Sequence, residues 1–257
     1  MLKWTVKEIE EKLETIHHQD DPLYQQFAAD ERKGVQKALK RWIHKQEEMN
    51  KKHERFMDMT VYEQKYHNQG FKLIAGIDEV GRGPLAGPVV AAAVILPEDF
   101  YLPGIDDSKK LSENLRERFF LEIQEKAEAI GIGIIDNDEI DKINIFEAAK
   151  KAMLEAIQQL EPKPDFLLID AVKLHTPYPF DAIIKGDSLS VSIAAASIIA
   201  KVTRDRMMKD YEKRYPQYGF ARNAGYGTKE HLESIAAHGI TPIHRKTFAP
   251  VKDYIGS

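Results

Sequence analysis

The sequence predicts an α/β protein, a mixed β-sheet flanked by helices and preceded by an extra N-terminal helical domain. Three observations carry this. Leu73–Ile77, Val89–Leu96 and Phe166–Ile169 are unbroken apolar runs, as expected of strands buried on both faces. The segments between them have helical periodicity with start and stop signals. The composition also changes near Asn68–Gly70, from Glu, Lys, Gln, His and Met to apolar runs punctuated by Gly and Pro. The expected division is a helical extension over residues 1–70 and an α/β domain over residues 71–257.

In chain order, Asp30–Met59 reads as one long helix. Leu73–Ile77 and Val89–Leu96 follow as strands. Ser112–Ile130 reads as a helix with Ser112 as N-cap and Gly131 closing it, and Ile132–Ile135 as a short strand. Asn144 opens a second helix, with Glu147 placed for a capping box; Ile145, Ala149, Ala152, Ala156 and Leu160 share a face, and Pro162 and Pro164 stop it. Phe166–Ile169 is a strand. Val191, Ala195, Ile198 and Val202 give a further helix its apolar stripe, and a last helix runs over Lys229–Gly239.

The 257 residues suffice for a real core, and the absence of cysteine removes disulfides, thiolate nucleophiles and sulfur-based zinc sites. No apolar run approaches the roughly 20 residues needed to cross a bilayer, and Met1–Val6 lacks a signal-peptide block, so a cytoplasmic protein without membrane contact is expected. The net charge of −4 excludes a polycationic wrapper for nucleic acid. Charge is nevertheless segregated: Met1–Asp30 has three basic against seven acidic residues, and Glu31–Arg55 has nine against four.

Four acids share one context. Asp78 and Glu79 end the first strand, Asp170 ends Phe166–Ile169, and Asp187 precedes the helix near Ser190. Strand ends and helix starts are where sites collect in such sheets. If the strands are neighbours, the carboxylates converge, and each close pair repels by about 4 kcal/mol at an effective dielectric near 20. Such a cluster calls for cations or protons, and hard oxygen donors favour Mg²⁺ or Mn²⁺, a pair of which suits displacement at phosphorus. Taken singly, Asp170 reads as a turn or cap residue and Asp187 as a helix-start charge.

Gly81-x-Gly83-x-x-Ala86 formally fits a dinucleotide fingerprint. Pro84 and Pro88 interrupt it and a strand follows, so the segment reads as a β-hairpin. Gly81 and Gly83 let backbone approach a ligand, and Arg82 can meet a phosphate; the plain alternative is a tight turn with a surface ion pair.

These residues resemble a known family. Gly76-Ile77-Asp78-Glu79-Val80-Gly81-Arg82-Gly83-Pro84-Leu85-Ala86-Gly87-Pro88 is similar to the first signature of type 2 ribonuclease H, ribonuclease HII. Asp106–Leu111, Leu168–Asp170, Lys185–Asp187, Ala194–Asp205 and Gly225–Thr228 resemble later family blocks in the same order. The resemblance covers about Phe71–Phe248, and residues before Gly70 match nothing in the family core. It implies a ribonuclease H-like fold and a metal-dependent endoribonuclease that cleaves RNA in RNA/DNA hybrids and nicks duplex DNA 5′ of embedded ribonucleotides, leaving 3′-hydroxyl and 5′-phosphate. It implies that Asp78, Glu79, Asp170 and Asp187 bind two divalent ions, Mn²⁺ or Mg²⁺. Gly81, Arg82 and Gly83 would read the ribonucleotide 2′-OH, and Tyr226 would pack on the next deoxyribose. The 2′-OH is the group by which a protein tells RNA from DNA. A monomer is expected.

Other readings stay open. Lys109 and Lys110 contact phosphate or are solvated. Lys201 and Arg204 face the substrate backbone or pair with Asp205. His231, His244 and Arg245 assist or cap helices. Lys37, Lys40, Arg41 and Lys45, near Trp42, grip a duplex or form a solvated face on the acidic first helix. The competing functions are another nuclease of the same fold, transposase- or exonuclease-like, and a non-enzymatic duplex-binding module.

Overall fold

The structure, a computed structural model, describes residues 4–255. Residues 1–3, part of the segment read as lacking a signal-peptide block, lie outside the described residues. The chain divides into two compact units, residues 1–57 and 58–257.

The first unit contains α1 (Val6–Leu13), α2 (Pro22–Ala28) and most of α3 (Lys33–Met59), which is the long helix expected there. Thr5 and Glu8 close a capping box on α1, and Asp21 caps α2 with Pro22 in its first turn. Their apolar faces meet in one cluster that includes Ile9, Leu13, Phe27, Val35, Leu39 and Trp42. Arg41 pairs with Glu10, so the basic helix does meet the acidic one at this point.

The second unit opens with α4 (Val61–His67), whose Glu63 and Tyr66 are buried. The division by packing therefore falls before this helix, whereas the composition changes after it. The sheet strands are β1 (Ile74–Val80), β2 (Val89–Ile95), β3 (Ala129–Ile135), β4 (Phe166–Asp170) and β5 (Phe180–Ile183), in the order β3-β2-β1-β4-β5. β1, β2 and β3 are antiparallel neighbours, while β4 runs parallel to β1 and β5 parallel to β4. The glycine-rich segment thus closes a β-hairpin and no helix starts within it. β5 and the short helices α6 (Asn137–Ile143) and α9 (Phe220–Asn223) lack a sequence signal because each is too short to show a period.

α5 (Glu113–Lys126) has Ser112 as its N-cap but ends earlier than expected. Ala129–Gly133 pair with β2 instead, so Gly131 is a strand residue, and with Gly133 it admits α7 (Ile145–Gln159) onto that sheet face. A Cβ on Gly133 would stand 1.9 Å from the Ala152 carbonyl oxygen. Asn144 caps α7 through the Phe146 and Glu147 amides, whereas the Glu147 carboxylate pairs with Lys150, so no capping box forms. The opposite face receives α8 (Val191–Arg214), with Ser190 as its N-cap. A Cβ on Gly76 would meet the Ser192 carbonyl carbon at 2.0 Å, so α8 rests directly on β1. Every α8 residue from Val191 to Ala200 is buried, in place of the single expected stripe, because sheet and α5 enclose the helix from different sides. α10 (Lys229–His238) completes the unit.

Candidate active site

Register brings the first carboxylates together. On the parallel pair β1 and β4, Ile77 lies beside Ile169, so Asp78 and Asp170 occupy the next positions on adjacent strands, about 4.8 Å apart between backbones. Asp187 stands on the 3₁₀ turn Gly186–Ser188 at the entrance to α8. That turn is tied back to β4, since the Gly186 amide donates to Asp170 Oδ1 at 2.7 Å. Its other end is held by α4: the Ser190 hydroxyl donates to Glu63 Oε1 at 2.5 Å and the Ser192 amide donates to the same oxygen at 3.0 Å.

The cluster is poorly compensated. Asp78 and Asp187 are 4% and 7% exposed. Burial, then Glu79 and Asp170, hold the Asp78 carboxyl well above its ordinary range. Burial also raises Glu79, where Arg82 works in the opposite direction at 3.2 Å. Burial raises Asp170 and Asp187 as well, with Asp107 adding repulsion in both. Glu79 Oε2 is buried without a hydrogen-bond partner.

Besides Arg82, Lys109 brings positive charge to the cluster. Its Nζ lies 3.8 Å from Asp187 Oδ2 and 4.0 Å from Asp107 Oδ1. Burial works against this ammonium, but Asp107, Asp78, Asp187 and Asp170 together raise its pKa. Lys110 instead pairs with Asp106 and bonds the Ser188 hydroxyl. Among the described residues, no three His, Asp or Glu side chains are already disposed to hold an ion. The donors are nonetheless all hard carboxylate oxygens, one of them orphaned, and this chemistry fits a divalent cation.

The glycine turn is held from beneath by two fully buried arginines. Arg245 donates to the carbonyls of Gly81, Arg82 and Gly87, and Arg204 to those of Ala86, Pro88 and Ala224. Burial lowers them to about 9 and about 10, so both remain cations at neutral pH. Gly81 has φ +93°, and a Cβ there would meet Arg204 Nε at 2.2 Å. A Cβ on Gly83 would lie 3.3 Å from Tyr226 Cε1, which places the half-exposed tyrosine against the turn.

The readings of Arg204 are corrected here: it neither faces outward nor pairs with Asp205, and its donors are consumed by backbone carbonyls. For Lys201 the ion-pair reading holds, since it meets Asp205 at 2.6 Å, with Arg116 at 3.8 Å from the same carboxylate. Sequence reasoning also passed over several participants. Asp107 lies within the Asp106–Leu111 block and carried a signal. Ser197, which faces Asp78 and meets the Ser108 hydroxyl at 2.9 Å, lies within the Ala194–Asp205 block and carried one too, whereas Glu63, far upstream, carried none.

Comparison with known proteins now decides the family. A model described as Ribonuclease HII matches residues 75–251, and one described as Ribonuclease HII N-terminal domain matches residues 5–67. The ribonuclease HII of Bacillus thuringiensis (strain Al Hakam) is 58% identical over 255 residues, 99% of each chain. This chain belongs to the ribonuclease HII family. It is a metal-dependent endoribonuclease of the ribonuclease H type. Bacillus anthracis ribonuclease HII is likewise 58% identical over 99% of each chain. The ribonuclease H2 of Pyrococcus horikoshii OT3 superposes with a TM-score of 0.59 at 27% identity, covering 70% of this chain and 96% of its own. In a PCNA complex from Archaeoglobus fulgidus, the ribonuclease HII matches with a TM-score of 0.58 at 28% identity, covering 68% of this chain and 95% of its own. The N-terminal unit, for which sequence reasoning named no family counterpart, thus has one. Among the described residues no helix is long and apolar enough to cross a membrane.

Proposed function

We propose that this enzyme cuts the RNA strand of RNA/DNA hybrids and nicks duplex DNA on the 5′ side of embedded ribonucleotides, with Asp78, Glu79, Asp170 and Asp187 as the ligands of two divalent ions. The observation that carries the reading is the juxtaposition of an undercompensated carboxylate cluster with a rigid glycine turn. Asp78, Glu79, Asp170 and Asp187 would hold a pair of Mg²⁺ or Mn²⁺ ions, which would supply acidity for water and offset charge on the phosphate and the departing oxygen. Water would add to phosphorus, the bond to the 3′-oxygen would break, and that oxygen would take a proton, leaving 3′-hydroxyl and 5′-phosphate.

The chain's own residues do the rest. Lys109 holds the cluster together by charge and, its side chain being 69% exposed, is free to turn to a phosphate when cations take over that role. The carbonyls of Gly81 and Arg82 are bound by Arg245, so the turn presents a fixed backbone at which the 2′-OH can be tested. Arg82, 45% exposed at its side chain, can reach a phosphate, and Tyr226 offers its ring face to the adjoining deoxyribose. A cytoplasmic setting belongs to the same reading.

The test is a duplex carrying a single ribonucleotide, incubated with Mg²⁺ or Mn²⁺ and resolved on a sequencing gel beside an all-DNA duplex. One cut 5′ of the ribonucleotide, with 3′-hydroxyl and 5′-phosphate ends, is expected. Equal cleavage of all-DNA duplex would replace this reading with the transposase- or exonuclease-like one.

A further inference from the structure

Behind Tyr226 lies a buried polar chain that the chemistry above does not use. His231 and His244 are both fully buried, on α10 and on the segment beyond it. The backbone amide of Thr241 points at His244 Nδ1 at 2.9 Å, and the Thr241 hydroxyl stands 2.8 Å from the same nitrogen. An amide can only donate, so His244 Nδ1 is an acceptor and its proton sits on Nε2. Nε2 of His244 is 3.0 Å from Nε2 of His231, which must then accept. The His231 proton is therefore on Nδ1, where it meets the Tyr226 carbonyl at 2.8 Å.

One backbone amide thus dictates both tautomers, and every link is satisfied with both rings neutral. No carboxylate is among the hydrogen-bond partners of either ring in the described residues; aromatic Tyr218 and Phe220 pack against them. The base of the chain is fastened to the other half of the substrate site. His244 bridges to Ala86, and the Gly87 amide donates to the Ile243 carbonyl. The next residue, Arg245, grips the Gly81–Arg82 turn.

We propose that Thr241, His244 and His231 act as positioning residues, a neutral hydrogen-bond relay that fixes Tyr226 against the Gly81–Gly83 turn and so sets the spacing at which the ribonucleotide and its neighbouring deoxyribose are read. The relay rests on the reading of Tyr226 as a substrate contact. It makes His244–Arg245 a single anchor for both recognition elements, Arg245 directly and His244 through His231.

The test has two arms. In the full-length unmodified enzyme at neutral pH, imidazole ¹⁵N spectra should show His231 protonated at Nδ1 and His244 at Nε2; reversed tautomers or cationic rings would overturn the relay, and this arm needs no variant to fold. In the second arm, His244→Phe keeps the ring packing and removes the donor, while His244→Gln keeps an N–H in the Nε2 position. With a single-ribonucleotide duplex, His244→Phe should raise KM about tenfold with kcat changed less than about twofold, and His244→Gln should recover most of the loss. Tyr226→Ala in the same assay separates the two failures. If it raises KM and His244→Phe does not, the relay is only structural and the proposal falls while the role of Tyr226 stands. If neither variant moves KM, the reading of Tyr226 falls and the relay's function with it.

Discussion

The two halves of the site are built on opposite electrostatic terms. In the carboxylate half, buried acids repel one another, their pKa values are driven upward, and one oxygen of Glu79 has no partner. In the glycine half, Arg204 and Arg245 are buried as deeply, yet six carbonyls absorb their donors. The first half stores unfavourable energy that a cation can relieve. The second is satisfied before any ligand arrives. Metal chemistry needs a site that gains on binding, whereas discrimination of a single hydroxyl needs one that does not yield.

Substitutions that act in opposite directions would sharpen this contrast. The largest effect is expected at Asp78. Asp78→Asn should lower cleavage by about 10³-fold in either metal, yet raise the melting temperature of the metal-free protein by about 2–4 °C, since it removes a buried repelled charge. Calorimetry and a gel assay check the two signs, and a destabilised metal-free variant would break the comparison. Arg245→Met should do the reverse, costing about 3 kcal/mol in urea unfolding by orphaning three buried carbonyls. A stable variant would show that the turn does not depend on its arginine.

A smaller effect is expected with pH. Burial, then His231, lower His244 to about 4. The folded protein therefore binds its proton less readily than the unfolded chain, whose histidine titrates near 6.5. The stability from the neutral ring is fully present above that value and is lost as pH falls from about 6.5 toward about 4. Urea midpoints measured across this window should fall, and fall less in His244→Gln. The smallest effect is expected for Gly83→Ala, whose added carbon meets Tyr226 at 3.3 Å: a KM increase of about threefold for a ribonucleotide-containing duplex, without loss of stability. An unchanged KM would separate the turn from the tyrosine.

Much of this arrangement was legible in the sequence. The strands β1, β2 and β4 announce themselves as apolar runs, and the acids of β1 and β4 stand toward their C-terminal ends, although β1 continues through Asp78 and Glu79 to Val80. The hairpin around Gly81–Pro88 followed from two prolines that no helix would accept. What stayed hidden depends on long-range pairing. Arg204 sits in an ordinary helical segment, and only the fold reveals that its donors reach backbone more than 100 residues earlier. The tautomers of His231 and His244 are fixed by one amide of a loop, which no periodicity encodes. The end of α5 differs from the expectation because Ala129 favours helix and Ile130 strand, and pairing with β2 decides between them.

Gly76 carries a last consequence. Because nothing projects from it, the backbone of α8 lies on β1 two residues before Asp78, and Ser197, farther along that helix, faces that acid and works against the rise in its pKa. The missing methyl is in effect a ruler: it sets how closely α8 approaches the strand that carries Asp78. Any larger residue would have to lift a whole helix and loosen the bearing between the Asp187 turn and the strands.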